Sequence, residues 1–198
     1  MKITNDNVYN LDQAIRASKF PMAVLAEHKD SDITPSVTKL GSMERGSGHD
    51  NFLHGILVSF DLTCSNKMWV EFQRYHFADI VSSQSTMHRI DSLIDCSDIF
   101  NEYVDDGIKT AVRRLQKAYE ENPNMKNYLR LLYNIPSGIE LTAHIVTNYG
   151  QLKTMYLQRH NHRLPEWRRF CDWILTLPKF CELTGITKGE KDEQNAEY

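Results

Sequence analysis

The chain has 198 residues, with 23 Lys and Arg against 26 Asp and Glu for a net charge of −3. That length suits one compact domain, which buries roughly 70% of its unfolded surface and needs neither metal nor disulfide to fold. The mildly acidic balance argues against binding of nucleic-acid polymers, and the absence of a long apolar run excludes a membrane span.

Met1-Lys2-Ile3-Thr4-Asn5-Asp6 carries no apolar leader and does not read as a signal peptide. Cys64, Cys96, Cys171 and Cys181 are scattered without a CxxC. Reduced thiols and a cytoplasmic location are therefore expected, and a disulfide scaffold or zinc ribbon is not. The first 20 residues read as a short amphipathic segment with Leu11, Ile15 and Phe20 on one side, and Phe20–Ala26 as a brief buried strand opened by Pro21. Gly41–Gly48 is a Gly- and Ser-rich loop that either connects elements or covers a site.

From His54 to Cys64, Ile56, Val58, Phe60 and Leu62 alternate with their neighbours, the period of a strand with one better-buried face. Ser65 suits a helix N-cap, with Met68, Phe72 and Tyr75 following at helical spacing. Residues 102–121 predict an amphipathic helix on Ile108, Ala111, Val112, Leu115, Ala118 and Tyr119, stopped by Asn122-Pro123-Asn124. A further helix is expected over 140–159 with Leu141, Ile145, Leu152, Met155 and Tyr156 inside. Pro165 opens the next, whose core face is Phe170, Trp173, Ile174 and Leu177. The tail over 187–198 is polar and reads as disordered. The fold class is α/β or α+β, a single domain over 1–186, with helices outnumbering strands.

Asn148 and Arg159 stand 11 residues apart, which on one continuous helix puts them on the face that carries Leu152 and Met155. A guanidinium on such a stripe either pairs with a carboxylate or awaits an anionic ligand. Glu71-Phe72-Gln73-Arg74-Tyr75-His76 and Ser82-Ser83-Gln84-Ser85-Thr86-Met87-His88-Arg89 are dense in hydroxyl, amide and cationic groups. Such a run suits phosphate or pyrimidine recognition, or is simply a solvated loop. The histidines of Arg159-His160-Asn161-His162-Arg163 are only two apart and lack further ligands at metal spacing, so no metal is expected. Gly48-His49-Asp50 sets a histidine beside an acid, but the chain has no GxSxG, Walker loop or GxGxxG.

Over about residues 44–175 the chain resembles the flavin-dependent thymidylate synthases. Gly48-His49-Asp50-Asn51-Phe52-Leu53-His54 is similar to that family's GHE/S-x-x-x-EH segment, which supplies a histidine next to the flavin. Arg74-Tyr75-His76 through Ser85-Thr86-Met87-His88 resembles the signature RHR-x2-S-x-N-x2-S-x-RY with one residue inserted. Ile135-Pro136 resembles its Leu-Pro, and Asn148-x3-Leu152-x6-Arg159 its N-x-R-x-L-x6-R helix. Pro165-Glu166-Trp167-Arg168 stands where AQ-x-EIR is usual.

The resemblance implies a small, mostly antiparallel sheet packed with several helices, in a homotetramer with active sites built between subunits. It implies reductive methylation of dUMP or a related pyrimidine deoxynucleotide, with FAD as hydride carrier, methylenetetrahydrofolate as carbon donor and NADPH as reductant. By position it makes Arg159 and His49 catalytic, and puts Glu71, Arg74, Ser83, Ser85, His88, Arg89 and Arg159 at the nucleotide. His49, Arg74, Tyr75, His76, Asn148 and Arg163 fall at the flavin or its phosphates. The chain departs from the pattern where Tyr75-His76 replaces His-Arg, Met87-His88 replaces Arg-Tyr, and Gly150 and Thr154 replace an Arg and an Asn. Each lost phosphate contact costs roughly 1.5–3 kcal/mol, so the alternative implied is a catalytically silent nucleotide-binding homologue that keeps the fold.

Overall fold

The computed structural model describes residues 1–96 and 99–187; residues 188–198 of the expected tail lie outside the described residues. Its elements, in chain order, are β1 (Lys2–Tyr9), α1 (Leu11–Ser18), α2 (Pro35–Ser42), β2 (Leu57–Ser65), α3 (Asn66–Phe72), β3 (Asp79–Ser83), α4 (Thr86–Ile94), α5 (Asp106–Glu121) and α6 (Met125–Leu132). β4 (Glu140–Asn148), α7 (Tyr149–Arg159), α8 (Pro165–Ile174) and α9 (Phe180–Thr184) complete the described chain. It is a mixed α/β fold with a four-stranded antiparallel sheet in the order β1-β2-β4-β3. The chain divides into two compact units, Met1–Asp6 with Ser59–Val146 and Asn7–Val58 with the residues from Thr147 onward.

The first unit holds most of the sheet. β2 follows its alternation, with Val58, Phe60, Leu62 and Cys64 fully buried. Its C-terminal Ser65 caps α3 by accepting the Met68 N–H at 3.2 Å, and Trp69 Nε1 donates to the Leu141 carbonyl at 3.0 Å. β3 runs antiparallel to β4, pairing Asp79 with Val146 and Ile80 with Ile145; after an irregularity Ser82 pairs with His144. Ile90, Leu93, Ile94, Ile99, Val112, Leu131 and Ile139 form a buried cluster among the helices of this unit. α5 starts at Asp106, later than expected, because Asp105 caps it by accepting the Gly107 N–H at 2.7 Å. Ile108 lies exposed in that first turn, while Val112 is buried.

In the second unit α2 packs on α9 and α7 on α8. α8 begins at Pro165 as expected, and Phe170 and Ile174 are fully buried. α2 was legible in Thr34-Pro35: Thr34 accepts the Val37 N–H and Pro35 sits in the first turn. Gly41 therefore belongs to the last turn of α2 and not to a loop.

Three expectations are corrected. Phe20–Ala26 is not a buried strand: Phe20–Met22 is a 3-10 turn, and Val24 is 99% exposed. An apolar run with no neighbouring strand to complete its hydrogen bonds does not become one. The first 20 residues hold a strand before the helix, because β1 buries none of its residues fully and so carries little hydrophobic signal. The 140–159 helix is a strand followed by a helix. Ala143, Ile145 and Thr147 are buried at period two, and Asn148 ends the strand by capping α7, its Oδ1 accepting the Gln151 N–H at 2.9 Å.

The approach of α2 to α9 is closest at Gly41, where an added Cβ would stand 2.1 Å from the Leu183 carbonyl oxygen. Backbone cannot yield as a side-chain tip can, so Gly41→Ala is expected to cost about 2 kcal/mol or more. At Gly55 the same atom would meet Ala14 Cβ at an ordinary 3.5 Å. Chemical denaturation should therefore show Gly55→Ala unchanged or slightly more stable.

Candidate functional site

In the second unit the chemistry gathers around the start of α7. Lys153, on the second turn, is only 3% exposed. Its ammonium donates to the Gly41 carbonyl at 2.8 Å and the Met43 carbonyl at 2.5 Å, and pairs with Asp50 Oδ2 at 3.3 Å. Three acceptors match the three N–H bonds of an ammonium, which offsets the large cost of taking the charge out of water. Asp50 is itself 2% exposed, and its second cation is Arg45, with Nη1 at 3.8 Å. The acid of Gly48-His49-Asp50 thus serves Lys153 and Arg45, while His49 is exposed.

Arg45 Nη1 also lies 2.7 Å from His54 Nε2. A guanidinium can only donate, so His54 Nε2 accepts and the neutral ring carries its proton on Nδ1. Burial first, and then the Arg45 charge, hold His54 below its ordinary value of 6.5; Asp50 and a hydrogen bond with Asn148 act the other way. Asn148 therefore has two tasks, capping α7 and holding His54. Gly150 makes the packing possible. A Cβ there would stand 2.9 Å from Arg45 Nη1 and from His54 Cε1.

Arg159 occupies the last turn of α7. Since Asn148 is the N-cap, the two do not share a helical face as a 140–159 helix would require. The guanidinium of Arg159 is half-buried and lies 4.9 Å from the centre of the Trp167 ring. Trp167 is fully buried on α8, so the cation rests on a fixed aromatic plane. Nearby, burial pushes the Cys171 thiol up to about 12 against the opposing pull of Arg159, which leaves that cysteine protonated. Arg163 is exposed and lines a surface pocket with Leu157, Gln158, His160, Asn161 and His162.

In the first unit Glu71 pairs with Lys67 at 3.5 Å along α3. Arg74 and His76 follow α3 and are exposed, and Tyr75 packs edge-on against the Phe72 ring. Gln84 ties the next segment to β4, donating its N–H to the Thr142 carbonyl at 2.9 Å and accepting the Thr142 N–H on Oε1 at 2.8 Å. Ser83 and Ser85 flank this tie, Ser83 exposed at the end of β3 and Ser85 half-buried at the start of α4. His88 and Arg89 are exposed on α4, where Arg89 breaks the helix with a φ of −137°. Met87 is exposed too, and its carbonyl accepts from the Tyr128 hydroxyl at 2.6 Å.

Sequence reasoning named His49 and did not single out Arg45, His54 or Lys153. A lysine inside Leu152-Lys153-Thr154-Met155 was a readable signal of a buried charge. On the sheet it also missed His144 Nδ1 on Asp61 Oδ1 at 2.6 Å, with Asn5 Nδ2 donating to Asp61 Oδ2 at 2.6 Å. The Asn5 bond first, and then His144, hold the Asp61 carboxyl below its usual range. Among the described residues no group of His, Cys, Asp and Glu gathers as a metal-ligand set, and no helix is long and apolar enough to cross a membrane.

No protein-family model matches the sequence, and no curated protein matches it. Solved structures do. One is flavin-dependent thymidylate synthase ThyX from Helicobacter pylori complexed with FAD and dUMP, with a TM-score of 0.72 at 17% identity, over 93% of this chain and 97% of that one. A second structure of Helicobacter pylori ThyX with FAD and dUMP gives a TM-score of 0.73 at 14% identity, with the same coverage. The chain shares their fold.

Two outcomes follow from the buried cluster. Lys153→Met leaves Asp50 buried without its nearer cation and should destabilise by about 3–5 kcal/mol, part of which Asp50→Asn in the same chain should restore. For His54, the folded ring resists a proton that the unfolded chain accepts near 6.5. Stability should therefore fall as pH drops below about 6.5 toward the folded pKa, and His54→Gln should flatten that slope in denaturation curves taken from pH 5 to 8.

Proposed function

We propose that this chain is a flavin-dependent thymidylate synthase-like protein that binds FAD and a pyrimidine deoxynucleotide. The observation that carries the reading is the cradle at Gly150. A helix start held free of a side chain and bordered by Arg45, His54 and Asn148 fits a flavin nucleotide, in a fold shared with proteins that bind FAD and dUMP. Bound flavin supplies a two-electron hydride carrier. On this reading the reaction is reductive methylation of dUMP or a related pyrimidine deoxynucleotide, with methylenetetrahydrofolate as carbon donor and NADPH as reductant, in a homo-oligomer.

The chain's own residues divide the work by charge. Arg159, steadied on the Trp167 ring, meets the negative charge that a pyrimidine gains when activated; a fixed guanidinium is most effective where that charge develops. Arg74 and the Ser83 and Ser85 hydroxyls receive the nucleotide, with His88 and Arg89 as further donors beside the uncharged Met87. Neutral His54, tied to Asn148, stands on the cofactor side of the site, a role for which the exposed His49 is the rival. A second reading, a nucleotide-binding homologue without catalysis, is favoured by one observation. Met87 occupies the signature's arginine position and is held through its backbone by Tyr128.

An absorbance titration with FAD, with and without dUMP, tests the reading. Bound flavin whose spectrum shifts on adding dUMP is the expected result, and turnover of dUMP then separates the two readings. Arg159→Ala should weaken dUMP binding at least tenfold while costing only about 1 kcal/mol of stability, the scale of one cation–π contact. A large fall in melting temperature with dUMP affinity intact overturns the ligand role of Arg159.

A further inference from the structure

We propose that Ser82, His144 and Asp61 form a second chemical site, an acyl-transfer triad in the first unit that hydrolyses a neutral carboxylic ester. The three residues lie on one face of the sheet, one on each of the neighbouring strands β3, β4 and β2.

The base is fixed by its neighbours. Asp61 Oδ1 lies 2.6 Å from His144 Nδ1, and Asp61 Oδ2 accepts from Asn5 Nδ2 at 2.6 Å. The carboxylate, held ionised by both bonds, can only accept, so His144 Nδ1 carries the ring proton. The neutral ring then keeps a lone pair on Nε2, which has no partner among the described residues. With Nδ1 turned toward β2, the ring edge that bears Nε2 is turned toward β3. The side chain is 39% exposed, so a ligand can reach it. An aspartate that fixes the tautomer while Nε2 stays open makes the imidazole a general base.

An irregularity in the ladder sets the nucleophile. β3 and β4 pair Ile80 with Ile145 and then Ser82 with His144, so Val81 is an extra residue. In an unbroken ladder Val81 would oppose His144, and Ser82 would oppose the buried Ala143. The bulge therefore exchanges a valine for a hydroxyl opposite the imidazole, the re-aiming that bulges perform beside active sites. Directly opposed residues hold their Cβ atoms about 5 Å apart. Ser82 is exposed and makes no hydrogen bond among the described residues. Its Oγ is free to turn to Nε2, a contact that catalytic pairs commonly complete only with substrate bound.

Gln84 supplies a donor. Its backbone N–H and its Oε1 are both bonded to Thr142, which holds the carboxamide in place. Its NH2 has no acceptor among the described residues and can receive the oxygen of a carbonyl under attack. Charge selects the substrate. Asp61 and the exposed Asp79, which opposes Val146 on the same face, repel a phosphate or a carboxylate. In the reaction Ser82 Oγ bonds to the ester carbonyl carbon while its proton passes to His144 Nε2. The bond from that carbon to the alcohol oxygen breaks, and the alcohol leaves with the proton. Water then attacks the acyl group, with Nε2 taking its proton and passing it to Ser82 Oγ as the carboxylic acid departs. No flavin or nucleotide takes part, so this site stands or falls separately from the reading above.

The test is hydrolysis of p-nitrophenyl acetate by the full-length chain, with labelling by phenylmethylsulfonyl fluoride located by peptide mass spectrometry. Release of p-nitrophenol should exceed that by free imidazole at the same concentration, and the sulfonyl group should be found on Ser82. Ser82→Ala and His144→Gln should each lower the rate at least tenfold, and His144→Gln should abolish the label. Asp61→Asn should lower kcat at least tenfold with KM unchanged, which a loss of structure would not do. A rate that Ser82→Ala leaves unchanged, or a label found only on other residues, overturns the triad. The labelling of the unaltered chain decides the matter even if the variants fail to fold.

Discussion

The second unit is organised around one buried ammonium. Lys153 is held by two backbone carbonyls from the end of α2 and by Asp50, and a charge so enclosed is tolerable only with every N–H bond used. That requirement fixes Gly41, Met43 and Asp50 relative to α7, and with them the intervening loop. Arg45 lies within that span, and His54 follows in the 3-10 turn over Asn51–Gly55. A glycine-rich stretch with little apolar surface has no core of its own to hold it. Here a polar clamp does so, and gives the neighbouring side chains a defined place.

The clamp also sets the electrostatics. Asp50 is shared between Lys153 and Arg45, more closely with the first, so Arg45 is only partly neutralised. Its proximity in turn disfavours a proton on His54. A neutral imidazole with its proton confined to Nδ1 and an arginine with open donors are thus two consequences of one arrangement. Arg159 is placed by a different means, resting on an aromatic plane with Trp167 locked in the core. Each cation is thus oriented by its own means, one by a shared carboxylate and an imidazole and the other by a ring.

How far this was legible in the sequence depends on the kind of signal. β2, the Ser65 cap and α8 were readable because burial on one face writes a period into the residues, and capping and proline chemistry are local. The passage from β4 to α7 was not, since Leu141, Ile145, Leu152 and Met155 fit a helical spacing as well as a strand joined to a helix. Asn148 decides the matter by capping, and a cap inside an apolar stretch is easily read as one more helical residue. β1 escaped because a strand with no fully buried residue has no apolar face to announce it. Within the candidate site, periodicity set Asn148 and Arg159 on one helical face, whereas Asn148 ends β4 and caps α7. Lys153 was readable as a charge inside an apolar stretch, but its partners and those of Arg45 were not: they are backbone carbonyls, a distant acid and the space above a glycine, none of which has a sequence spacing.

That last point bears on how a degraded motif should be read. Counted position by position against the pattern that the chain resembles, Gly150 stands where a cation is expected, which by itself argues against binding. In three dimensions a ligand responds to charge and donors at a place, whichever part of the backbone supplies them. A position without a side chain leaves a volume open, and at Gly150 the end of Arg45 and the His54 ring border it. The glycine and the guanidinium beside it fit together, since a Cβ would stand 2.9 Å from Nη1 and the end of Arg45 would have to shift. Met87 is the contrasting case: its side chain is exposed, and its carbonyl accepts from the Tyr128 hydroxyl. A glycine against which an arginine packs and a methionine exposed on a helix are different physical situations, though both depart from the pattern that the chain resembles.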